Sequence, residues 1–294
     1  MSEAAVLSPT DVDAASARKR GTWRFVRRNP TLVGGMLILI LIATIALIAP
    51  LIAGDPVAMK PANRLKAPSE MHWFGTDHLG RDVWARTVYG ARISLVVGLT
   101  VAAISMAIGL FIGLLAGFIK VVESVVMRLM DGLMAIPAIL LAIALVSLTK
   151  ASVIVVIAAI LIPEIPRVVR LVRSVVLTVR EQPYVEAAVA SGTRLPKILR
   201  RHILPATLPP LIVQATYIAA SAILIEAALS FLGAGTPPEI PTWGNMIASS
   251  RIYLGLAPWT IFCPGLALAL VVLAVNLVGD GLRDRLDPRL ARRM

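Results

Sequence analysis

The chain has 294 residues with a mean hydropathy of +0.82, and only 16% of its residues are charged. This composition excludes an ordinary soluble domain, because the apolar residues collect in runs of about 20, the length that crosses a bilayer as a helix. The single cysteine, Cys263, excludes an intramolecular disulfide and a metal site built on paired thiolates.

Six apolar segments follow a polar N-terminal tail. Runs of this length without strict alternation predict helices and not the strands of a barrel. The segments lie at 32–53, 93–119, 127–148, 151–172, 211–232 and 257–279. The first is longer than the roughly 7–15 residues of a signal-peptide core, so we expect an uncleaved anchor.

The expected organisation has five parts. They are a tail (1–30), an anchor helix (31–53), an extracytoplasmic cap loop (54–92), a core with five helices and a polar connection at 181–206 (93–280), and a C-terminal tail (281–294). The cap loop is Gly- and Asp-rich and then amphipathic, which indicates an ordered cap over the helices.

The basic residues are sorted by side. Of the 29 Lys and Arg residues, 21 are assigned to one face, namely six in the N-terminal tail, two near the turn at Lys120 and Arg128, eight from Arg167 to Arg201 and five in the C-terminal tail. By the positive-inside rule that face is cytoplasmic and holds both termini. Topology and attraction to the membrane surface therefore explain the net charge of +12, and no nucleic-acid partner is expected.

Two patterns concern the segments themselves. Gly109, Gly113 and Gly117 repeat a small residue every four positions, which predicts close packing on another helix. In the fourth segment Pro163 and Pro166 flank Glu164, and the alternatives of a static bend and a gating hinge both stay open. The spacing of Arg128 and Asp131 favours a local ion pair.

The polar connection contains EAAVASGTRLPKILRRHILP, residues 186–205. Pro183 suits a first helical turn, Glu186 lies near the positive end of that helix, and Gly192 can end it in a left-handed conformation. We expect Thr193 to cap a second helix that Pro205 ends. In that helix one face is apolar and the others are basic, the apolar residues being Leu195, Ile198, Leu199 and Ile203.

This helix-turn-helix suits two roles. It could dock another protein through the small side chains at 187, 188 and 190, or it could lie on anionic lipid without a partner. Composition does not separate these alternatives.

A resemblance does separate them. The order of Glu186, Ala187, Ala188, Gly192, Leu204 and Pro205 resembles the EAA loop of binding-protein-dependent ATP-binding-cassette (ABC) importer permeases. Ala206 departs from the Asn common in the peptide branch. The motifs FGTDHLGRD (74–82), GARISL (90–95), SFLGAG (230–235), TWGNM (242–246), APW (257–259) and NLVGDGLRDRLDPR (276–289) are similar to the C-type permease of dipeptide, oligopeptide and nickel importers.

The resemblance implies an all-α membrane protein with six transmembrane helices and the type I importer permease fold, in the bacterial cytoplasmic (inner) membrane. It implies that Glu186, Ala187, Ala188, Gly192, Leu204 and Pro205 couple the chain to ATPases. The implied partners are a homologous second permease (B-type), two ABC ATPases and an extracytoplasmic solute-binding protein. The implied solutes are di- and oligopeptides, with nickel, glutathione and opine-like compounds as alternatives.

The chain itself offers no ATP site of the phosphate-loop kind, because none of its six lysines follows a glycine. We therefore expect no cofactor in this chain, ATP and Mg on the partner ATPases, and no enzyme activity of its own. A membrane-embedded enzyme would need a catalytic set that is missing. A stand-alone ion-coupled transporter would call for internal repeats and interrupted charged helices.

Glu226 is the clearest ionisable residue at membrane depth. It could meet the ammonium group of a peptide in the substrate pathway, or it could form a hydrogen bond between helices. His72 and His78 with Asp77 and Asp82 are weak candidates for a metal site, and we expect none.

Overall fold

The chain is helical over the residues that its structure, a computed structural model, describes, which are 29–149 and 151–286. One isolated β-bridge, between Thr76 and Asp82, interrupts this pattern in the cap loop. The predictions for the N-terminal tail up to residue 28 and for residues 287–294 lie outside the described residues.

Eleven helices make up this part of the chain. In order they are α1 (Pro30–Leu47), α2 (Ala49–Ile52), α3 (Val83–Phe118), α4 (Lys120–Ala135), α5 (Ala138–Ser147), α6 (Val153–Arg180), α7 (Pro183–Ala190), α8 (Leu195–Ile198), α9 (Leu204–Phe231), α10 (Trp243–Ser250) and α11 (Trp259–Leu286). We call the end of the bundle with the loops before α3 and around α10 the cap end, and the end with α7 and α8 the coupling end.

The all-α class is confirmed, but the count of six spans is not. Within the described ranges four helices are long and apolar enough to cross a bilayer, namely Pro30–Leu47, Val83–Phe118, Leu195–Phe231 and Trp259–Leu286. The bent pair α4 and α5 makes a fifth if it counts as one span. Helix α6 has 28 residues, but it carries Glu164 and several arginines and is not among them.

The third predicted segment, 127–148, is not one continuous helix. Helices α4 and α5 meet at an angle of 83°. Ile136 has the extended conformation that the ring of a following proline imposes, and Pro137 cannot donate to the preceding turn. The expectation of an unbroken span was wrong here, because Pro137 lies near its middle.

The glycine row of α3 is confirmed as a packing surface. A Cβ atom added to Gly113 would lie 2.7 Å from the Cβ of Val172, and one added to Gly117 would lie 2.6 Å from the Cβ of Val176. Both valines are buried and belong to α6. The two backbones approach closely because nothing but hydrogen projects from the glycines.

Glycines also seat the first helix on the last. A Cβ on Gly35 of α1 would lie 2.7 Å from the carbonyl oxygen of Ala274, and one on Gly281 would lie 2.5 Å from the Cβ of Leu32. At the cap end the indole of Trp243 donates to the Thr87 carbonyl at 2.9 Å, which fixes α10 against α3.

The cap loop folds onto itself through polar contacts. Asp77 accepts from the Leu79 and Arg81 amides at 2.8 and 2.9 Å, and its carboxylate pairs with the buried Arg81 guanidinium at 2.6 Å. The Trp259 indole donates to the Thr76 carbonyl at 3.3 Å. Asp82 caps α3 by accepting from the Trp84 amide. The loop is thus an ordered cap, and α3 begins at Val83, within the predicted loop.

Candidate coupling site

Helix α7 stands at the coupling end, joined to α6 by the two residues Glu181 and Gln182. Pro183 occupies its first turn and Glu186 follows in the same turn, as predicted, where the free amides favour a carboxylate. Val185 is 1% exposed and anchors the helix on the bundle, while Glu186 and Ala187 are exposed.

Gly192 ends α7 in the predicted left-handed conformation, with φ +73°. Its amide donates to the Val189 carbonyl at 2.9 Å, and the Thr193 amide donates to the Ala188 carbonyl at 3.1 Å. These two bonds form a Schellman motif, which satisfies carbonyls that a helix end otherwise leaves free. A left-handed residue is required here, which explains the glycine.

The second half of the connection differs from the prediction in two ways. Arg194, and not Thr193, precedes the first helical residue, and no side chain caps α8. Pro205 does not end the helix, because the chain continues from α8 through a π-helical turn, Leu199–Ile203, directly into α9. The wide turn, closed by the Leu204 amide on the Leu199 carbonyl, brings Pro205 into the first turn of α9, where its missing amide costs little.

The amphipathic character of this half is confirmed. Ile198 and Ile203 are 2% and 0% exposed and join the core. The basic residues on the other faces are exposed, namely Arg194, Lys197, Arg200 and Arg201. The Tyr184 and His202 rings lie 5.9 Å apart and connect α7 to the π-helical turn. The buried isoleucines therefore hold the connection on the helix bundle, and its basic side chains are exposed at the surface.

A groove of about 430 Å³ runs beside α7 and is open at the protein surface. Its wall combines the end of α3, the end of α6 and one side of α7, the lining residues being Phe118, Arg180, Glu181, Val185, Glu186, Val189 and Ala190. Tyr184 and Val189 are 51% and 52% exposed. Exposed apolar side chains next to a concave surface are typical of a protein contact.

Sequence reasoning missed Arg180 as part of this site. Its guanidinium donates to the Gly117 carbonyl at 3.1 Å, in the last turn of α3. The carbonyls of a last helical turn lack partners within the helix and attract a cation. Arg180 thus ties the base of α7 to α3. A basic residue at the end of a helix is the signal in the sequence, but the partner is 63 residues away.

The structure brings only part of the predicted set together. Glu186, Ala187, Ala188 and Gly192 share α7 and its terminal turn, whereas Leu204 and Pro205 lie where the connection joins α9. Glu226 is far from this set, near the cap end of α9. It is fully buried, and the Ser230 hydroxyl donates to it at 2.8 Å. This bond lies within α9, and the second oxygen of Glu226 has no hydrogen-bond partner among the described residues, so the substrate role and the bond between helices both stay predictions.

Other ionisable residues have partners that the sequence did not indicate. Asp131 pairs with Arg170 of α6 at 2.6 Å and not with Arg128, so that expectation was wrong. His72 lies 3.6 Å from Asp82, while His78 stacks on Tyr253 at 5.3 Å. Among the side chains described, no three His, Cys, Asp or Glu residues are grouped as a metal would require.

Comparison with known proteins decides the family. Residues 82–292 match the family described as the binding-protein-dependent transport system inner membrane component. The chain belongs to this family. Residues 19–68 of the permease match the N-terminal transmembrane domain of oligopeptide transport permease C.

Two relatives and one solved structure are similar over most of the permease. A probable peptide ABC transporter permease protein of Sinorhizobium fredii is 59% identical over 92% of this chain and 93% of its own length. A dipeptide transport system permease protein of Alkalihalophilus pseudofirmus is 42% identical over 96% and 93%. An inward-facing structure of the MetNI methionine ABC transporter covers 69% of this chain and 96% of its own, with 21% identity and a TM-score of 0.56, so it shares the fold.

Proposed function

We propose that this permease is the C-type subunit of an importer that carries di- or oligopeptides inward, driven by ATP hydrolysis on partner subunits. The family makes it a permease subunit of a binding-protein-dependent ABC importer. Peptide as the solute is supported by the relatives from Sinorhizobium and Alkalihalophilus, whose names state peptide and dipeptide transport.

The observation that carries the coupling role is the exposure of α7 between two helices of the bundle. The helix follows α6 after two residues and leads through the π-helical turn into α9, so a force applied to it reaches both. Its outward residues Glu186 and Ala187 are free for a partner. We infer that the groove beside α7 receives an ABC ATPase and that Glu186, Ala187, Ala188, Gly192, Leu204 and Pro205 form or support this contact.

The remaining subunits follow from the same proposal. Two ATPases hold the ATP and Mg, a homologous B-type permease completes the passage, and a solute-binding protein delivers the peptide at the cap end. The subunit itself then has no enzyme activity. The cap end faces the outside of a bacterial inner membrane, and the coupling end and both termini face the cytoplasm, in line with the placement of the basic residues.

Reversing one charge on α7 tests the coupling role. In the reconstituted complex, Glu186→Lys is expected to leave membrane insertion intact and to abolish the stimulation of ATP hydrolysis by the peptide-loaded binding protein. Glu70→Lys is the matched control, because Glu70 is equally an exposed carboxylate but lies in the cap loop. Wild-type stimulation in the Glu186→Lys complex contradicts the assignment.

A further inference from the structure

Helix α6 carries a row of three arginines, Arg167, Arg170 and Arg173, each paired with a carboxylate. Arg167 binds Glu164 of the same helix at 2.8 Å, Arg170 binds Asp131 of α4 at 2.6 Å, and Arg173 binds Glu123 of α4. We call these three residues the arginine row. Despite their partners, the three side chains remain 45%, 44% and 30% exposed.

The row lies on the side of α6 that faces away from its main neighbour. At 100° per residue, Arg167 and Arg170 are about 140° and 160° around the helix from Val172, which packs on Gly113 of α3, and Arg173 is at the flank, about 100° away. Arg167 is halfway along the 28 residues of α6, roughly 20 Å from either end. The arginines are therefore distributed over the inner part of the bundle and not only over its surface at the coupling end.

Lipid is not a plausible environment for this side of α6. A charged side chain at the centre of a bilayer costs about 2.5–3.5 kcal/mol or more, and such residues face a protein interior or a water-filled cavity. The other sides of α4 are mixed, since Val121, Val125 and Leu129 are 75%, 66% and 60% exposed but the exposed Arg128 lies among them. The paired charges of this region are therefore concentrated where α4 and α6 meet.

Glu164 adds a second observation. It has no exposed surface, its Oε1 accepts from Arg167 and from the Ser221 hydroxyl of α9 at 3.3 Å, and its Oε2 has no hydrogen-bond partner within the described structure. A buried carboxylate oxygen without a donor leaves a position for a cationic group or for water. The row therefore begins beside a buried carboxylate, one oxygen of which has no donor among the described residues.

The charges along the row match those of a zwitterion. Each of its three cations is paired with a carboxylate, and from Arg167 to Arg173 the helix rises about 9 Å. An extended di- or tripeptide spans about 7–10 Å. Its carboxylate can accept from an arginine, and its ammonium can donate to an exposed carboxylate such as Asp131.

We propose that the arginine row lines the aqueous passage of the importer and binds the ionised ends of the peptide as it passes. This rests on the proposed function, since it takes a peptide as the solute. The existing ion pairs keep the row neutral between passages, and each end of the peptide replaces one member of a pair. The arginine row therefore recognises the charged termini of a peptide and does not distinguish peptides by their side chains.

Access from water is the first test. In the complete complex, in inside-out membrane vesicles and with Cys263→Ala, the variant Arg170→Cys is expected to react with a charged, membrane-impermeant methanethiosulfonate. Two matched variants are expected not to react, Val168→Cys because Val168 is buried, and Phe111→Cys because Phe111 of α3 is exposed beside the apolar Ile104 and Ile108. Absence of reaction at position 170 overturns the proposal.

Transport is the second test. With saturating peptide-loaded binding protein, Arg170→Gln and Arg173→Gln are each expected to lower the dialanine imported per ATP hydrolysed about tenfold, the effect of one charge-assisted hydrogen bond. Arg170→Lys is expected to keep most of the transport. Arg128→Gln, which removes an exposed arginine of α4 that takes no part in the three ion pairs, is the control and is expected to match wild type.

The double variant Asp131→Asn with Arg170→Gln separates solute binding from a mere link between α4 and α6. An amide pair can still join the two helices but offers no charge to the peptide, so we expect it to be as impaired as Arg170→Gln. Recovery in the double variant overturns the proposal, as does unchanged import by Arg170→Gln and Arg173→Gln. A wild-type complex that imports no peptide refutes the proposed function instead, and that result is distinct.

Discussion

At Gly113 the backbones of α3 and α6 leave no room for a side chain. A Cβ there would lie 2.7 Å from the Cβ of Val172 and 3.0 Å from the Val169 carbonyl oxygen. We expect Gly113→Val to destabilise the permease by about 1–3 kcal/mol, because a buried backbone contact cannot relax to admit the added atoms. Thermal unfolding of the purified complex in detergent measures this.

Gly132 is the matched control. It lies inside helix α4, and a Cβ added there meets nothing within 4 Å. Gly132→Ala is therefore expected to be neutral or slightly stabilising, since alanine favours a helix more than glycine does by about 1 kcal/mol. Equal losses at positions 113 and 132 would refute a specific packing role for Gly113.

His78 is expected to make the cap sensitive to pH. Partial burial is the main cause that lowers the pKa of His78 below 6.5, while Asp77 raises it and Arg81 lowers it further. Because the unfolded imidazole has the higher pKa, it binds more protons between the two values, and stability is lost as pH falls from about 6.5 through the folded pKa. Above pH 6.5 the full contribution of the neutral His78 to the stability of the fold is present.

This predicts a pH-dependent opening of the cap loop. Hydrogen exchange of residues 60–82 is expected to become faster in wild type as pH falls below 6.5, after correction for intrinsic exchange rates. His78→Gln is expected to flatten that dependence. His202→Gln, at the coupling end, should leave the profile as it is in wild type, and a flat wild-type profile would contradict the role of His78.

At the scale of elements, prolines act according to how their helix is packed. Helix α6 continues through Pro163 and Pro166, both buried, and its contact with α3 holds the turns that follow them. Pro137 lies between α4 and α5, where most of the neighbouring side chains are exposed, and there the chain bends by 83°. The hinge alternative for Pro163 and Pro166 stays a prediction.

Pro137→Ala is expected to straighten the pair into one helix. Between spin labels at Ser124→Cys and Leu148→Cys, in the Cys263→Ala background, helix geometry gives about 25 Å for the bent pair and about 36 Å for a continuous helix. Electron-paramagnetic distance measurement distinguishes the two. Unchanged distances in Pro137→Ala would show that contacts elsewhere, and not the proline, cause the bend.

At the scale of the whole molecule, the topology is a prediction that the fold alone does not decide. The placement of basic residues predicts that residue 68 in the cap loop faces outward and that the C-terminus faces inward. Alkaline phosphatase, which is active only outside the cytoplasm, is expected to be active when fused after residue 68 and inactive when fused after residue 294. The reverse pattern would overturn the orientation.

The sequence by itself determined the helical membrane class, the family motifs, the glycine row of α3 and the left-handed turn at Gly192. These depend on local composition and spacing, because a run of apolar residues or a glycine at a helix end acts through its own neighbours. Even the burial of Ile198 and Ile203 followed from spacing alone, although the π-helical turn between α8 and α9 did not.

The contacts between residues far apart in the sequence became clear from the tertiary structure alone. It paired Asp131 with Arg170 across 39 residues, joined Arg180 to Gly117, carried the chain past Pro205 and bent it at Pro137. Each outcome depends on which helices come to lie side by side, and spacing along one chain does not contain that information. The arginine row is an example, since Arg170 and Arg173 find their carboxylate partners only where α4 and α6 pack together.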